Sequence, residues 1–291
     1  MHADWRQLMN LSKRLMAAVD MVTEGFAVVD VGCDHAYTSI ELVRKKSPCA
    51  VASDVRPGPL RAAREHIAEA GLEDKVTTVL ADGVPRNIIS LLPESVPASL
   101  VITGMGGMLI IKILSEAGEL LDRFDELVLS PQSDIYAVRK FLALRGYAFA
   151  DEAEILEDGK FYTLMKVRSI ALVEETILKT GSRQCEQSKA NLGLAETELC
   201  RDKQQKLLQG SSEGESHKDN LSRSLSDAEL TYGPCLLRKK DETLLAYLTK
   251  RRNVLTDIKE KLIASGRSAD DTRICEIDEE VRIIDEAERY Y

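Results

Sequence analysis

The sequence predicts an α/β fold: a mostly parallel, doubly wound sheet with an antiparallel last strand, followed by a helical, coiled-coil-like domain. Three observations predict it. From about residue 26 to 145, short β-rich runs alternate with helical stretches. An Asp158-Gly159 turn then joins two longer runs as a hairpin. Beyond about 231, apolar residues recur three and four apart over two stretches.

Residues 5–21 place Leu8, Leu11, Leu15 and Val19 on one helical face, with Lys13 and Arg14 beside it. After Gly25 the period changes, and 26–31 is nearly all apolar, as expected of a strand covered on both faces. A strand at 49–55 leads to a helix from Pro59 to Glu69. Pro59 suits the first turn, where its missing N–H is no loss, and Gly71 suits the position just past the end. Strands at 76–81 and 99–104, a helix at about 108–121, a strand at 126–130 and a helix at 134–145 ending near Gly146 continue the alternation. The hairpin pairs 147–157 with 161–168.

Three parts are expected: a sheet domain over 1–170, a linker or insertion over 171–230, and a helical hairpin over 231–291. The stretch 202–227 carries too little apolar surface to offset the entropy of ordering it. In the last part Leu244, Leu248, Leu255, Ile258 and Leu262 form one seam. Ile277, Val281, Ile284 and Ala287 form another after a turn at Ser265 to Asp271.

Composition narrows the function classes. The chain has 291 residues, 44% of them apolar, and six cysteines scattered without CxxC spacing, which argues against a zinc site or a disulfide framework. A reducing cytoplasm is expected. The N-terminus lacks a cationic stretch followed by an apolar run, and no segment is long and apolar enough for a membrane span. A net charge of −9 counts against whole-surface nucleic-acid binding, so any such partner would be gripped by a local basic stripe.

The residues most able to carry chemistry follow the strands. The run Asp30-Val31-Gly32-Cys33-Asp34-His35-Ala36-Tyr37 sits where a dinucleotide-binding turn would carry three glycines. Only Gly32 remains, and Asp34 stands in a glycine's place with Asp30 before it. Two carboxylates repel a pyrophosphate but suit a ligand bearing an ammonium and a sulfonium, which points to S-adenosylmethionine rather than NAD. Asp54, with Val55 beside it, closes the second strand, where an acid accepts hydrogen bonds from ribose hydroxyls. Asp82-Gly83 closes the third, where a carboxylate takes an adenine amine. In Thr103-Gly104-Met105-Gly106-Gly107 the glycines let the backbone pass a flat ring, with Met105 as an apolar contact. Pro131-Gln132 offers an amide able to read a base edge. Structural readings stand beside these: Asp30 as a loop cap, Asp34 as a helix N-cap, His35 as a hydrogen-bonded structural imidazole, Tyr37 as a helix start, and the glycine run as a turn that needs positive φ.

Taken together, Leu11-Ser12-Lys13-Arg14-Leu15, the Asp30–Tyr37 run, Ala81-Asp82-Gly83, Gly104-Met105-Gly106-Gly107, Leu129-Ser130-Pro131-Gln132, Glu157-Asp158-Gly159-Lys160 and Tyr232-Gly233-Pro234 resemble the bacterial tRNA adenine-22 N1-methyltransferase family. The resemblance covers residues 8–168 and resumes at 231–262. It implies a class I methyltransferase Rossmann-like domain, a C-terminal domain that helps hold tRNA, S-adenosylmethionine as donor with S-adenosylhomocysteine as product, no metal, and methyl transfer to N1 of an adenine. Cys33 stands where a serine is usual, Asp54 where a glutamate is common, and Gln132 where an asparagine is common. The first two keep size or charge; the longer Gln132 bears on base recognition.

On that reading Asp30, Gly32, Cys33, Asp34, His35, Asp54, Val55, Asp82, Gly83, Gly104 and Met105 hold the donor, and Tyr37, Met105, Gly106 and Gln132 meet the base. Adenine N1 attacks with an in-plane lone pair, so no general base is needed. The catalytic candidates Asp34, His35, Tyr37 and Gln132 would orient the ring and balance its developing positive charge. Lys13, Arg14, Arg238, Lys239, Lys240, Lys250, Arg251 and Arg252 are the candidate RNA contacts, with solvated helix faces as the alternative. No obligate protein partner is expected. The competing functions are a methyltransferase of the same fold acting on another RNA base, a protein or a small molecule, and a noncatalytic RNA-binding or helical interaction protein.

Overall fold

A computed structural model describes residues 11–170, 225–268 and 270–291. Residues 5–10 of the expected opening helix and residues 171–224 of the expected insertion lie outside the described residues. The elements are α1 (Lys13–Met21), β1 (Ala27–Val31), α2 (Tyr37–Lys45), β2 (Ala50–Asp54), α3 (Pro57–Glu69), β3 (Val76–Leu80), α4 (Ile88–Leu91), β4 (Ala98–Met105), α5 (Gly107–Ala117), a 3-10 helix (Gly118–Arg123), β5 (Glu126–Pro131), α6 (Ile135–Leu144), β6 (Tyr147–Glu157), β7 (Lys160–Ser169), α7 (Asp227–Tyr232), α8 (Pro234–Lys239), α9 (Glu242–Ala264) and α10 (Thr272–Glu288).

The seven strands form one sheet in the order β3-β2-β1-β4-β5-β7-β6. The first five pair in parallel, and β7 runs antiparallel between β5 and β6. Strands β1, β2 and β5 are buried along their whole length, which explains their near-continuous apolar sequences. One face packs against α1, α2 and α3 around Val19, Ile40, Leu60 and Val128; the other packs against α4, α5 and α6 around Ile110, Leu114, Leu127 and Leu142. Glu126 is buried at the foot of β5. Burial alone would raise its pKa, but Lys166 and hydrogen bonds from Thr23 and Ser99 outweigh it and hold the pKa below the usual value.

Three boundaries differ from the sequence reading. Helix α3 starts at Pro57, which takes the first helical position. Helix α5 gives way after Ala117, because Gly118 (φ +54°) breaks the α-helical run and a 3-10 turn completes it. Helix α7 begins ahead of residue 231, because Ser226 and Glu229 form a reciprocal capping box. The hairpin turn matches its prediction: Asp158 and Gly159 both have positive φ, as a two-residue turn of this hand requires.

Helices α9 and α10 close on a seam of Leu244, Leu248, Leu255, Ile277, Ile284 and Ala287. A buried polar clamp fastens this helical arm to the sheet. Arg139 of α6, only 1% exposed, donates through Nε to Glu152 of β6 (2.8 Å) and through Nη1 to the carbonyl of Thr231 (2.7 Å). Glu152 also accepts from the backbone N–H of Cys235 (2.8 Å). Gly233, at φ +101°, passes so close that a Cβ would stand 2.5 Å from a Glu152 oxygen and 2.8 Å from Arg139 Nη2. That contact accounts for the glycine of Tyr232-Gly233-Pro234. Among the described residues, no helix is long and apolar enough to cross a membrane.

Candidate donor and substrate cavity

At the C-terminal ends of β1 to β5 lies a cavity of about 480 Å³, lined by residues of every one of those strand ends and by Arg14 and Leu15 of α1. This is where open α/β sheets place their ligands, and the volume is that of a small-molecule site. It brings together Asp30, Gly32, Cys33, Asp34, His35, Tyr37, Asp54, Val55, Asp82, Gly83, Gly104, Met105 and Gln132 from the sequence reading.

Asp30 is buried, and its Oδ2 accepts a hydrogen bond from Ser39 Oγ (2.8 Å). Burial pushes its carboxyl up to about 6, only partly offset by that bond, with the Asp54 charge adding to the rise. A cationic ligand would reverse that balance. Asp54 Oδ1 accepts from the backbone N–H of Arg56 (2.8 Å). Next to it Val55 is 57% exposed, and Leu109 is also exposed, so two apolar side chains stand open on the cavity wall. The Cys33 thiol is buried and its pKa is driven up by burial and by Asp30, which leaves it a neutral packing group.

The turn after β1 is strained. Asp34 (φ +50°) and Ala36 (φ +59°) both take the left-handed region, where a non-glycine residue costs on the order of 1 kcal/mol or more. Ala36, not Asp34, is the N-cap of α2, so Asp34 does not serve as a helix cap. Its exposed carboxylate lies 3.7 Å from His35 Nε2 and 3.8 Å from Arg56.

Tyr37 begins α2 and also faces the cavity. Its ring stacks on His66 (centroids 4.7 Å apart) and lies 5.7 Å from His35. His66 Nδ1 sits 3.2 Å from the His35 carbonyl, which can only accept, so Nδ1 carries the proton and Nε2 accepts from the Tyr37 hydroxyl at 3.2 Å. His66 was missed in the sequence, where it reads as one more residue on a polar helix face.

Strand β4 bulges at Gly104 (φ +77°), between the Thr103–Ser130 and Met105–Pro131 pairs. Such a bulge re-aims the strand end at a site. Gly106 is not among the residues that line the cavity. It is the N-cap of α5, and Gly107 packs against the Ser133 carbonyl, the Asp134 side chain and Val138, from which a Cβ would lie 2.9 Å away. Both glycines let the start of α5 pass close to the β5–α6 loop.

Arg14 lines the cavity. Its guanidinium stacks on Tyr162 (4.9 Å), and a Cβ on Gly104 would lie 3.7 Å from its Nη1 and 3.8 Å from Gln132 Nε2. Arg14 Nε and Nη1 are enclosed without an acceptor among the described residues. The other basic candidates divide. Lys13 is exposed, and its backbone N–H donates to Glu157 (2.5 Å). Arg238 folds back onto the Pro234 carbonyl (2.9 Å), and Lys239 pairs with Asp151. Arg251 pairs with Glu280, and Arg252 with Asp285 and Glu288, across the arm. Acids on facing elements thus pair with Lys239, Arg251 and Arg252, whereas Arg238 bonds within its own helix. Lys240 and Lys250 remain exposed.

Comparison with known proteins agrees with this geometry. Residues 11–165 match the family model described as "Methyltransferase domain". The chain is 30% identical over 158 residues to the tRNA (adenine(22)-N(1))-methyltransferase of Bacillus subtilis (strain 168). The match covers 54% of this chain and 64% of that relative, so it spans less than two thirds of the relative's length. Among solved structures, the B. subtilis m1A22 tRNA methyltransferase TrmK superposes with a TM-score of 0.64 at 22% identity, covering 96% of this chain and 98% of that one. M. capricolum TrmK in complex with S-adenosyl-homocysteine gives 0.66 at 18% identity, covering 97% and 99%. At these identities the two structures speak for the fold alone.

Proposed function

We propose, for a chain that belongs to the methyltransferase-domain family, that it transfers a methyl group from S-adenosylmethionine to N1 of an adenine in tRNA, at position 22, in the cytoplasm. The observation that carries this reading is the cavity wall of Asp30, Asp54 and Asp82 at three successive strand ends. Such a wall suits a cationic adenosine ligand and repels a pyrophosphate. The likeness to the B. subtilis enzyme supports tRNA adenine as the acceptor.

The residues present fit the donor. Asp54 is placed for ribose hydroxyls, Val55 and Leu109 for the faces of a purine, Asp30 for positive charge, and the unpaired Arg14 N–H groups for a carboxylate. When bound, the donor supplies an electrophilic methyl group. The chain supplies position. Tyr37, held by His66, offers a rigid ring against which the target base stacks once it leaves its helix. Gln132 presents its amide beside Gly104 to the base edge. Asp34 is near enough to the same wall to stabilise the cationic ring that N1 methylation creates. No side chain has to remove a proton before attack.

Methylation of total tRNA with labelled donor, followed by nucleoside analysis, tests this. N1-methyladenosine is expected. A different methylated nucleoside would overturn the base assignment, and donor binding without transfer to any RNA would point to another acceptor.

A further inference from the structure

We infer that the cavity between the sheet and the helical arm is a second nucleobase subsite, which takes an unpaired base of the RNA that presents the target adenine. The inference rests on the reading of the chain as an RNA methyltransferase and adds to it a place where the RNA is held.

This cavity, of about 250 Å³, has walls of Tyr136, Phe161, Tyr232 and Tyr247, with Glu154 and Thr163 between them. Phe161 and Tyr232 meet Tyr247 edge-on, at 5.1 and 6.4 Å. Two exposed cations lie over these rings: Lys250 Nζ is 5.6 Å from the Phe161 ring centre, and Lys140 Nζ is 5.8 Å from that of Tyr136. Neither lysine has an ion pair among the described residues. Aromatic faces interleaved with unneutralised cations are what a single nucleic-acid strand requires: rings for its bases and charges for its phosphates.

The polar groups suit a base as well. Glu154 accepts from Thr163 Oγ1 (2.8 Å), and burial pushes its carboxyl up to about 7. In its protonated form the carboxyl donates through its O–H and accepts through its C=O, the complement of a base edge that pairs an amine with a ring nitrogen. Asp134, the other acid on the wall, is held by Ser133 Oγ at 2.7 Å. The rim lysines oppose a cationic occupant and favour a polyanion. Position agrees too. Gln132 lines the donor cavity and Asp134 lines this one, so wall residues of the two cavities stand two positions apart, with only Ser133 between them, at most about 7 Å of chain. A strand that presents one base to the donor reaches the second cavity within a few nucleotides.

The test compares Tyr136→Ala, Tyr136→Phe and Lys250→Gln in the full chain. Tyr136 is 38% exposed, so truncating it leaves the core intact. Binding of a tRNA transcript is measured by anisotropy across a salt series, and S-adenosylhomocysteine binding by calorimetry. Tyr136→Ala is expected to weaken tRNA binding roughly tenfold with donor-product affinity unchanged. Tyr136→Phe should keep wild-type affinity, because the ring does the stacking. Lys250→Gln should lower the slope of log K against log salt by about 1, whereas Tyr136→Ala should not. Wild-type tRNA affinity in Tyr136→Ala, or equal loss in Tyr136→Ala and Tyr136→Phe, overturns the subsite. If the wild type binds no RNA, the subsite and the proposed function fall together. If it binds tRNA but methylates another nucleoside, only the adenine assignment fails, and the Tyr136 pair still decides the subsite.

Discussion

The two cavities on either side of the 132–134 loop are built in opposite ways. The donor cavity draws its walls from successive strand ends and from α1, all within one domain. The interface cavity needs β6 and β7 to meet α7 and α9, elements separated in the chain by the whole insertion. A site made of strand ends is anchored by the sheet itself. A site made between units depends on whatever clamps the units together, here Arg139, Glu152 and the tight passage of Gly233.

The largest effect is expected at that clamp. Arg139→Met leaves Glu152 buried without its partner and should cost on the order of 3–5 kcal/mol in denaturant unfolding. Adding Glu152→Gln should recover much of that loss. If the cavities are as separable as their construction implies, S-adenosylhomocysteine binding survives in Arg139→Met wherever the sheet domain stays folded; its loss there would join the two sites into one cooperative unit.

Asp30→Asn should act on the other cavity. Donor affinity is expected to fall roughly 100-fold, the scale of a lost charge-assisted contact. The unliganded protein should gain stability at the same time. The raised pKa means that the folded state holds the proton up to about pH 6, whereas the unfolded chain releases it near 3.8. The corresponding stabilisation is complete below about pH 4 and is lost between 4 and 6. At pH 8 the buried carboxylate is therefore a burden of up to about 3 kcal/mol, which Asn removes. Thermal denaturation at pH 8 with and without donor checks both signs. In the wild type, donor affinity should weaken as pH drops below 6, because Asp30 must then give up a proton to bind a cation.

A smaller effect is expected at Arg14. Arg14→Met should weaken S-adenosylhomocysteine binding about tenfold by calorimetry, since the enclosed N–H groups lose their role. Arg14→Lys should not restore it, because the planar fork stacked on Tyr162 is lost. Unchanged product affinity with weakened tRNA binding would move the guanidinium from the donor to a phosphate. The smallest effect is expected at Arg252→Gln, which should change stability by less than about 1 kcal/mol and leave tRNA affinity unchanged, because Asp285 and Glu288 already claim the charge. An Arg252→Gln variant as defective in tRNA binding as Lys250→Gln would restore the basic stripe read from the sequence.

Legibility followed the same division. The first four strands are β-rich runs that end at or close to an acid or a glycine, so Asp30, Asp54, Asp82 and Gly104 could be located by where periodicity breaks. His66 could not, because it reaches Tyr37 across two helices and carries no local signature. Arg139 left a faint one: a lone cation on the apolar stripe of Val138 and Leu142, the mark of a buried charge whose partner lies elsewhere. The basic clusters show the converse. Runs such as Lys250-Arg251-Arg252 show charge, but not which of their members face an acid on the next helix.

What the sequence determined by itself is therefore the order of strands and helices along the chain, the acids at successive strand ends and the seams of the helical arm, because each depends on spacing along the chain. Tertiary structure alone decided which glycines serve packing, which cations are already paired, where the arm is clamped and that four aromatic rings enclose a second cavity. Those outcomes depend on contacts between residues far apart in the chain, which no local pattern encodes.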